Sequence, residues 1–139
     1  MHYSQLQSRV SSTVNHGQES EPTIAELRMQ GFISAAMLDA RLRDAFSEFE
    51  DPGRASDVQG ILCDLRAVSG YGSRTPTLAR RWLGLAAEAG VRRVALIAAS
   101  SVLRTAIQVI SSDLKVELRC FVSEHEAHLW LRAASRMHN

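Results

Sequence analysis

Two groups of residues in the sequence have types and spacing that could do chemistry. One is Asp64 with Arg66 and the run Ser69-Gly70-Tyr71-Gly72-Ser73-Arg74; the other is Ser100, Ser101 and Arg104. A guanidinium offers a planar fork of donors matched to carboxylates and phosphates. Serines just ahead of a helix stand beside free backbone N–H groups and the positive end of the helix dipole, which also favour an anion. Asp64, Arg66, Ser69, Ser73, Arg74, Ser100, Ser101 and Arg104 are therefore the candidate ligand-binding residues. A phosphate, a carboxylate or an acidic patch on a partner would each suit them. The ordinary alternative is that the serines cap helices and the arginines sit in solvent.

Other chemistries are less well served. Asp64 has no Ser-His or Cys-His pair near it in sequence, and an aspartate at a strand end more often accepts backbone N–H bonds from the next loop. The glycines of SGYGS match neither a P-loop nor a dinucleotide fingerprint, so no nucleotide cofactor is expected. His125 and His128 share a helix face, yet the sequence identifies no third ligand, and no metal is expected. Arg80-Arg81 and Arg92-Arg93 lack interleaved aromatics, which argues against nucleic acid; they suit solvent or the carboxyl ends of helices. No catalytic set stands out, and the expectation is a protein that is not an enzyme.

The elements that must position these residues emerge from periodicity. Gln5 to Val14 reads as an outer strand with a turn at Asn15-His16-Gly17. From Ile24 to Gly31, Ala25, Leu27 and Met29 alternate with Glu26, Arg28 and Gln30, a half-exposed strand that should pair with the first as an antiparallel hairpin. Met37/Leu38, Leu42, Ala45/Phe46 and Phe49 then recur at helical spacing over Ala35 to Glu50, with Ser34 as N-cap. Gly60 to Leu65 reads as a short strand ended by Asp64, followed by a loop, AVSGYGSR. Thr75-Pro76 is read as an N-cap with proline at the first helical position, and Gly90 closes that helix. Val94 to Ala99 is apolar without alternation, as in a strand covered on both faces. A helix comes after Ser100-Ser101, then a strand over Val116 to Val122. Ser123-Glu124-His125-Glu126 is a capping box opening a last helix whose buried face is Ala127, Trp130, Leu131 and Ala134. Trp82 and Trp130 lie on apolar stripes and should pack in a core or subunit contact, or else line a cavity for a lipid.

The order is β-β-α-β-α-β-α-β-α. It predicts an α/β fold: a mixed, mostly parallel sheet of about five strands packed with four helices. Ligands in such sheets collect outside the carboxyl ends of the strands, where the candidate residues should lie. The 139 residues suit one domain, with the Ser-, Gln- and Asn-rich segment 1–22 as a partly flexible strand or hairpin. At 45% hydrophobic and net charge +1, the chain is neither disordered nor cationic enough to coat nucleic acid. Its basic charge is fifteen arginines and a single lysine, Lys115. Cys63 and Cys120 read as reduced core thiols, and no apolar stretch approaches the roughly 20 residues of a membrane span. A cytoplasmic location is expected.

LRMQGFISAAMLDARL, GILCDLRAV, VRRVALIAASSVLRTAI and LRCFVSEHEAHLWL, in this order and spacing, resemble the STAS domain (sulphate transporter and anti-sigma factor antagonist) over residues 24–134, and especially its SpoIIAA-like branch. The resemblance implies a binding or regulatory module working through a protein partner, such as a kinase or anti-sigma-type regulator, or through a small anionic or amphipathic ligand. A homodimer would be compatible with it. In anti-sigma antagonists a serine in Asp-Ser-Ser/Thr-Gly is phosphorylated. That pattern falls on Ser73 here, with Gly72 in place of the aspartate and Arg74-Thr75 in place of Ser/Thr-Gly. The alternatives implied are a phosphoacceptor switch at Ser73 and, because the fold is related to Sec14 domains, a lipid-binding carrier.

Overall fold

Ala25, Leu27 and Met29 are buried while Arg28 and Gln30 are exposed, so the alternation read in this segment is realised as strand β2, Thr23–Ile33. The computed structural model describes residues 7–11 and 23–137. Strand β1, Gln7–Ser11, runs antiparallel to β2, with Gln7 opposite Arg28 and Ser11 opposite Ile24. The turn expected at Asn15-His16-Gly17, with the rest of segment 1–22 beyond β1, falls outside the described residues.

After β2 come α1 (Ala35–Phe46), β3 (Val58–Tyr71), α2 (Thr75–Ala89), β4 (Arg93–Ile97), α3 (Ser101–Ile110), β5 (Glu117–Phe121) and α4 (Glu124–Met137). The sheet order is β1-β2-β3-β4-β5, and β2 through β5 are parallel. Strand β4 lies between β3 and β5, and its alternate residues serve two cores. Val94 and Leu96 join α1, α2 and α3 on one face; Ala95 and Ile97 meet Ala127 and Leu131 of α4 on the other. A run apolar on both faces is what this position demands. Strand β5 closes the far edge and keeps Glu117 and Arg119 exposed, charges that discourage edge pairing.

Helix boundaries match their caps. Ser34 accepts the Met37 N–H, Ser100 accepts those of Val102 and Leu103, and Ser123 accepts that of Glu126. Gly90, at φ 114°, ends α2 in the left-handed conformation that glycine adopts without strain. The first helix is shorter than its periodicity suggests. It ends at Phe46 and tightens into a 3-10 turn, Ser47–Glu50, which stacks Phe49 on Phe46 at 4.9 Å.

Two expectations are corrected. The third strand is fourteen residues long rather than six, so Asp64 lies inside it and AVSGY is strand, not loop. Beyond Asp64, β3 has no partner in β4 but continues against β2, with Ala67 opposite Gln30 and Tyr71 opposite Ile33. Irregularities in this register let Ser69 and Gly70, read as turn signals, stay in the strand; pairing outweighed local preference. Thr75 is also no N-cap. It is the buried first residue of α2, and its hydroxyl donates to the Ile33 carbonyl at 2.9 Å.

Candidate functional site

Asp64 is buried on the α4 face of β3, and two arginines converge on it. Arg66 gives Nε to Oδ1 at 2.9 Å, Nη2 to Oδ2 at 2.7 Å and its own backbone N–H to Oδ1 at 3.0 Å. Arg28, directly opposite on β2, brings Nε to 3.3 Å from Oδ2. The Arg66 side-chain hydrogen bonds hold the Asp64 carboxyl below the usual carboxylate range, against the opposing effect of burial. Asp64 in turn raises the Arg66 guanidinium. Arg66 also reaches Glu124 Oε1 at 3.3 Å, tying the centre of the sheet to the start of α4. A carboxylate clasped this way is a structural anchor, and its oxygens are committed.

The other sequence candidates lie at the carboxyl ends of β3 and β4 and in the openings of the helices that follow. Ser69 is exposed within β3, while Ser73 and Arg74 are exposed in the turn before α2, whose N-terminus receives no side-chain cap from Arg74. Ser100 caps α3, and Ser101 comes next, exposed. Arg104 lies near Cys120 on the face of the sheet that α1 to α3 cover, opposite Arg66. The hydrogen bonds and ion pairs of Arg66 go to Asp64 and Glu124, not to a site shared with Arg74 or Arg104. The reason is positional. With Asp64 inside the strand, period-two alternation sends Arg66 to the α4 face, whereas Arg104 belongs to a helix on the other.

Between the sheet and α1 to α3 lies a cavity of about 170 Å³ with an almost wholly apolar lining. Its floor includes Leu27, Cys63 and Leu96, and its roof Leu42, Trp82 and Ile107. The hydroxyls in the lining belong to Tyr71 and Thr75, at the end of β3 and the start of α2. Burial, with the neighbouring Asp64 charge, pushes the Cys63 thiol up to about 12, leaving it neutral and apolar in character. Trp82 lines the cavity and donates its indole N–H to Asp39 at 3.0 Å. Alanines on the inner faces of α2 and α3, such as Ala79 and Ala106, leave the room that larger residues would fill. Arg80 holds α3 in place by donating to the carbonyls of Ile110 and Ser112 at its carboxyl end, a role open to it from sequence.

On the opposite face Trp130 packs on Phe121, with the guanidinium groups of Arg93 and Arg119 at 4.6 and 5.2 Å from its ring centre. The side chain of Ala134 falls outside the described residues. Here too Glu26 of β2 meets Glu124 and His128 of α4. Glu26 is the polar neighbour that sequence inspection of the two histidines could not supply, since it lies about a hundred residues away. His125 is exposed.

A sheet parallel but for β1, three helices over an apolar cavity and a fourth helix on a charged face make an α/β module of the SpoIIAA-like type. The chain belongs to the SpoIIAA-like family, whose model matches residues 24–132. Among solved structures it resembles an uncharacterised DUF3478-family protein with a SpoIIAA-like fold from Shewanella loihica PV-4. The TM-score there is 0.60 at 15% identity, over 94% of this chain and 98% of that one. It also resembles the anti-sigma factor antagonist SpoIIAA in its unphosphorylated form, with TM-score 0.56 at 20% identity, over 91% of this chain and 98% of the other. No curated protein matches the sequence. Among the described residues no helix is long and apolar enough to cross a membrane.

Proposed function

We propose that this protein is a non-enzymatic regulatory module. It binds a small amphipathic molecule whose apolar part enters the cavity between the sheet and α1 to α3, and a protein partner reads the liganded state. The observation that carries this reading is the apolar cavity itself. At about 170 Å³ it compares with an engineered cavity of about 150 Å³ that stays dry and accepts benzene. That suits a ring or a short alkyl chain, and falls short of a whole diacyl lipid, which argues against a Sec14-like carrier of such lipids. Because almost none of the lining is polar, the polar end would stay outside the cavity.

Calorimetric titration with straight-chain fatty acids of increasing length tests the reading. Affinity should rise by about 0.8 kcal/mol per methylene until the cavity is full and then level off. Ala106→Leu should lower the chain length at which it levels. No binding, or binding indifferent to chain length and to Ala106→Leu, would overturn the proposal.

A second reading is a phosphoacceptor at Ser73, favoured by that serine's exposure at the start of α2. A phosphate there would add negative charge beside free helix N–H groups and change which surface a partner prefers. Intact-mass measurement after incubation with kinases from the source cell should show one phosphate on the wild type and none on Ser73→Ala; an unmodified wild type rejects this reading.

A further inference from the structure

The charged face under α4 holds a set of donors that the cavity reading does not use. We infer that Glu26, Glu124 and His128 form a binding site for one first-row divalent transition-metal ion of the zinc kind. Glu124 and His128 are four residues apart on α4, one above the other on the same side of the helix. Glu26 projects from β2 toward them. His128 Nε2 lies 3.2 Å from Glu26 Oε2 and 3.9 Å from Glu124 Oε2, and the three donor atoms lie within 4.8 Å of one another.

The spacing fits a small ion. Donors about 2.1 Å from a tetrahedral centre stand about 3.4 Å apart. The two histidine–carboxylate distances bracket that value, so small side-chain rotations suffice to close the set. The Glu26 and His128 side chains are 16% and 20% exposed, and Glu124 is 41% exposed. Two ligands are thus largely shielded while the third borders water, which would supply the fourth position. Arg66 holds Glu124 through Oε1 and leaves Oε2 on the side of His128, an orienting contact from outside the ligand set. One imidazole and two carboxylates suit zinc, cobalt or nickel. Magnesium and calcium prefer all-oxygen sites of six or more ligands. The site lies across the sheet from the cavity, so either can fail without the other.

The test is titration of the chelator-stripped full chain with zinc chloride, monitored by calorimetry and native mass spectrometry. One zinc per chain should bind, and excess magnesium should not displace it. His128→Gln and Glu26→Gln should each weaken binding at least tenfold, and His125→Ala should leave it unchanged. Glu124→Gln alters the most exposed ligand and should weaken binding while the circular dichroism of the metal-free chain stays as in the wild type and its melting falls only slightly, through the weakened Arg66 contact. Cobalt(II) should give weak d–d bands without thiolate charge transfer, distinguishing this site from capture by Cys63 or Cys120. Absence of binding at micromolar zinc overturns the inference. So does binding that survives both His128→Gln and Glu26→Gln, that is lost with His125→Ala, or that carries a thiolate band.

Discussion

The two faces of the sheet solve the burial problem differently. Three helices roof one face and leave a void of about 170 Å³. A single helix covers the other so closely that a Cβ added to Gly60 would stand 3.2 Å from Leu131 Cδ2. The roofed face is apolar throughout its cavity, whereas the α4 face combines a small core with the Arg28–Asp64–Arg66–Glu124 chain of charges. Tight packing and polar fastening go with the α4 face, although the larger core lies under α1 to α3. Loose packing goes with the face that has room for something else.

Truncation should expose this contrast most strongly. Leu131→Ala opens a hole in a face with no slack and should cost about 3 kcal/mol in urea denaturation; Ile107→Ala, on the wall of the existing cavity, should cost about 2 kcal/mol because its side chain already lacks neighbours there. Equal losses would show that the faces do not differ in packing.

The charged fastening should yield next. Asp64→Asn removes a buried charge-assisted acceptor and should cost roughly 2 kcal/mol at neutral pH. The folded chain keeps Asp64 ionised to lower pH than the unfolded chain does. Its ionisation therefore stabilises the fold above about pH 4, the ordinary aspartate value, and that contribution disappears as acid titrates the folded group. Denaturation midpoints measured from pH 7 to pH 3 should fall more steeply for the wild type than for Asp64→Asn; parallel curves would refute the coupling. Smallest should be the effect of Ala106→Leu on stability. Filling an existing void should leave it within about 1 kcal/mol of wild type even as ligand chain length is curtailed.

Much of this architecture was legible. Alternation in β2, the doubly apolar run of β4, and serines ahead of three helices are local signals, and each produced its element. The boundaries of β3 were not, because Ser69 and Gly70 are turn formers whose strand conformation is imposed by β2, an element some forty residues earlier. The displaced strand end carried the site with it. With Asp64 inside the strand, Arg66 is committed to Asp64 and Glu124, while Glu26, Glu124 and His128 become neighbours only when α4 is laid across the sheet. The cavity was illegible for a different reason: a void is a property of how three helices sit together, and no single stretch encodes it.

One small arrangement links the roof to the floor. The carbonyl of Ile33 accepts both the Gly72 N–H and the Thr75 hydroxyl, immediately before Ser34 caps α1 and where α2 begins. The openings of both helices thus hang from a common oxygen on a two-strand ribbon that has outrun the rest of the sheet. The two helix starts are thereby fixed to one another, with the turn at Ser73 beside both.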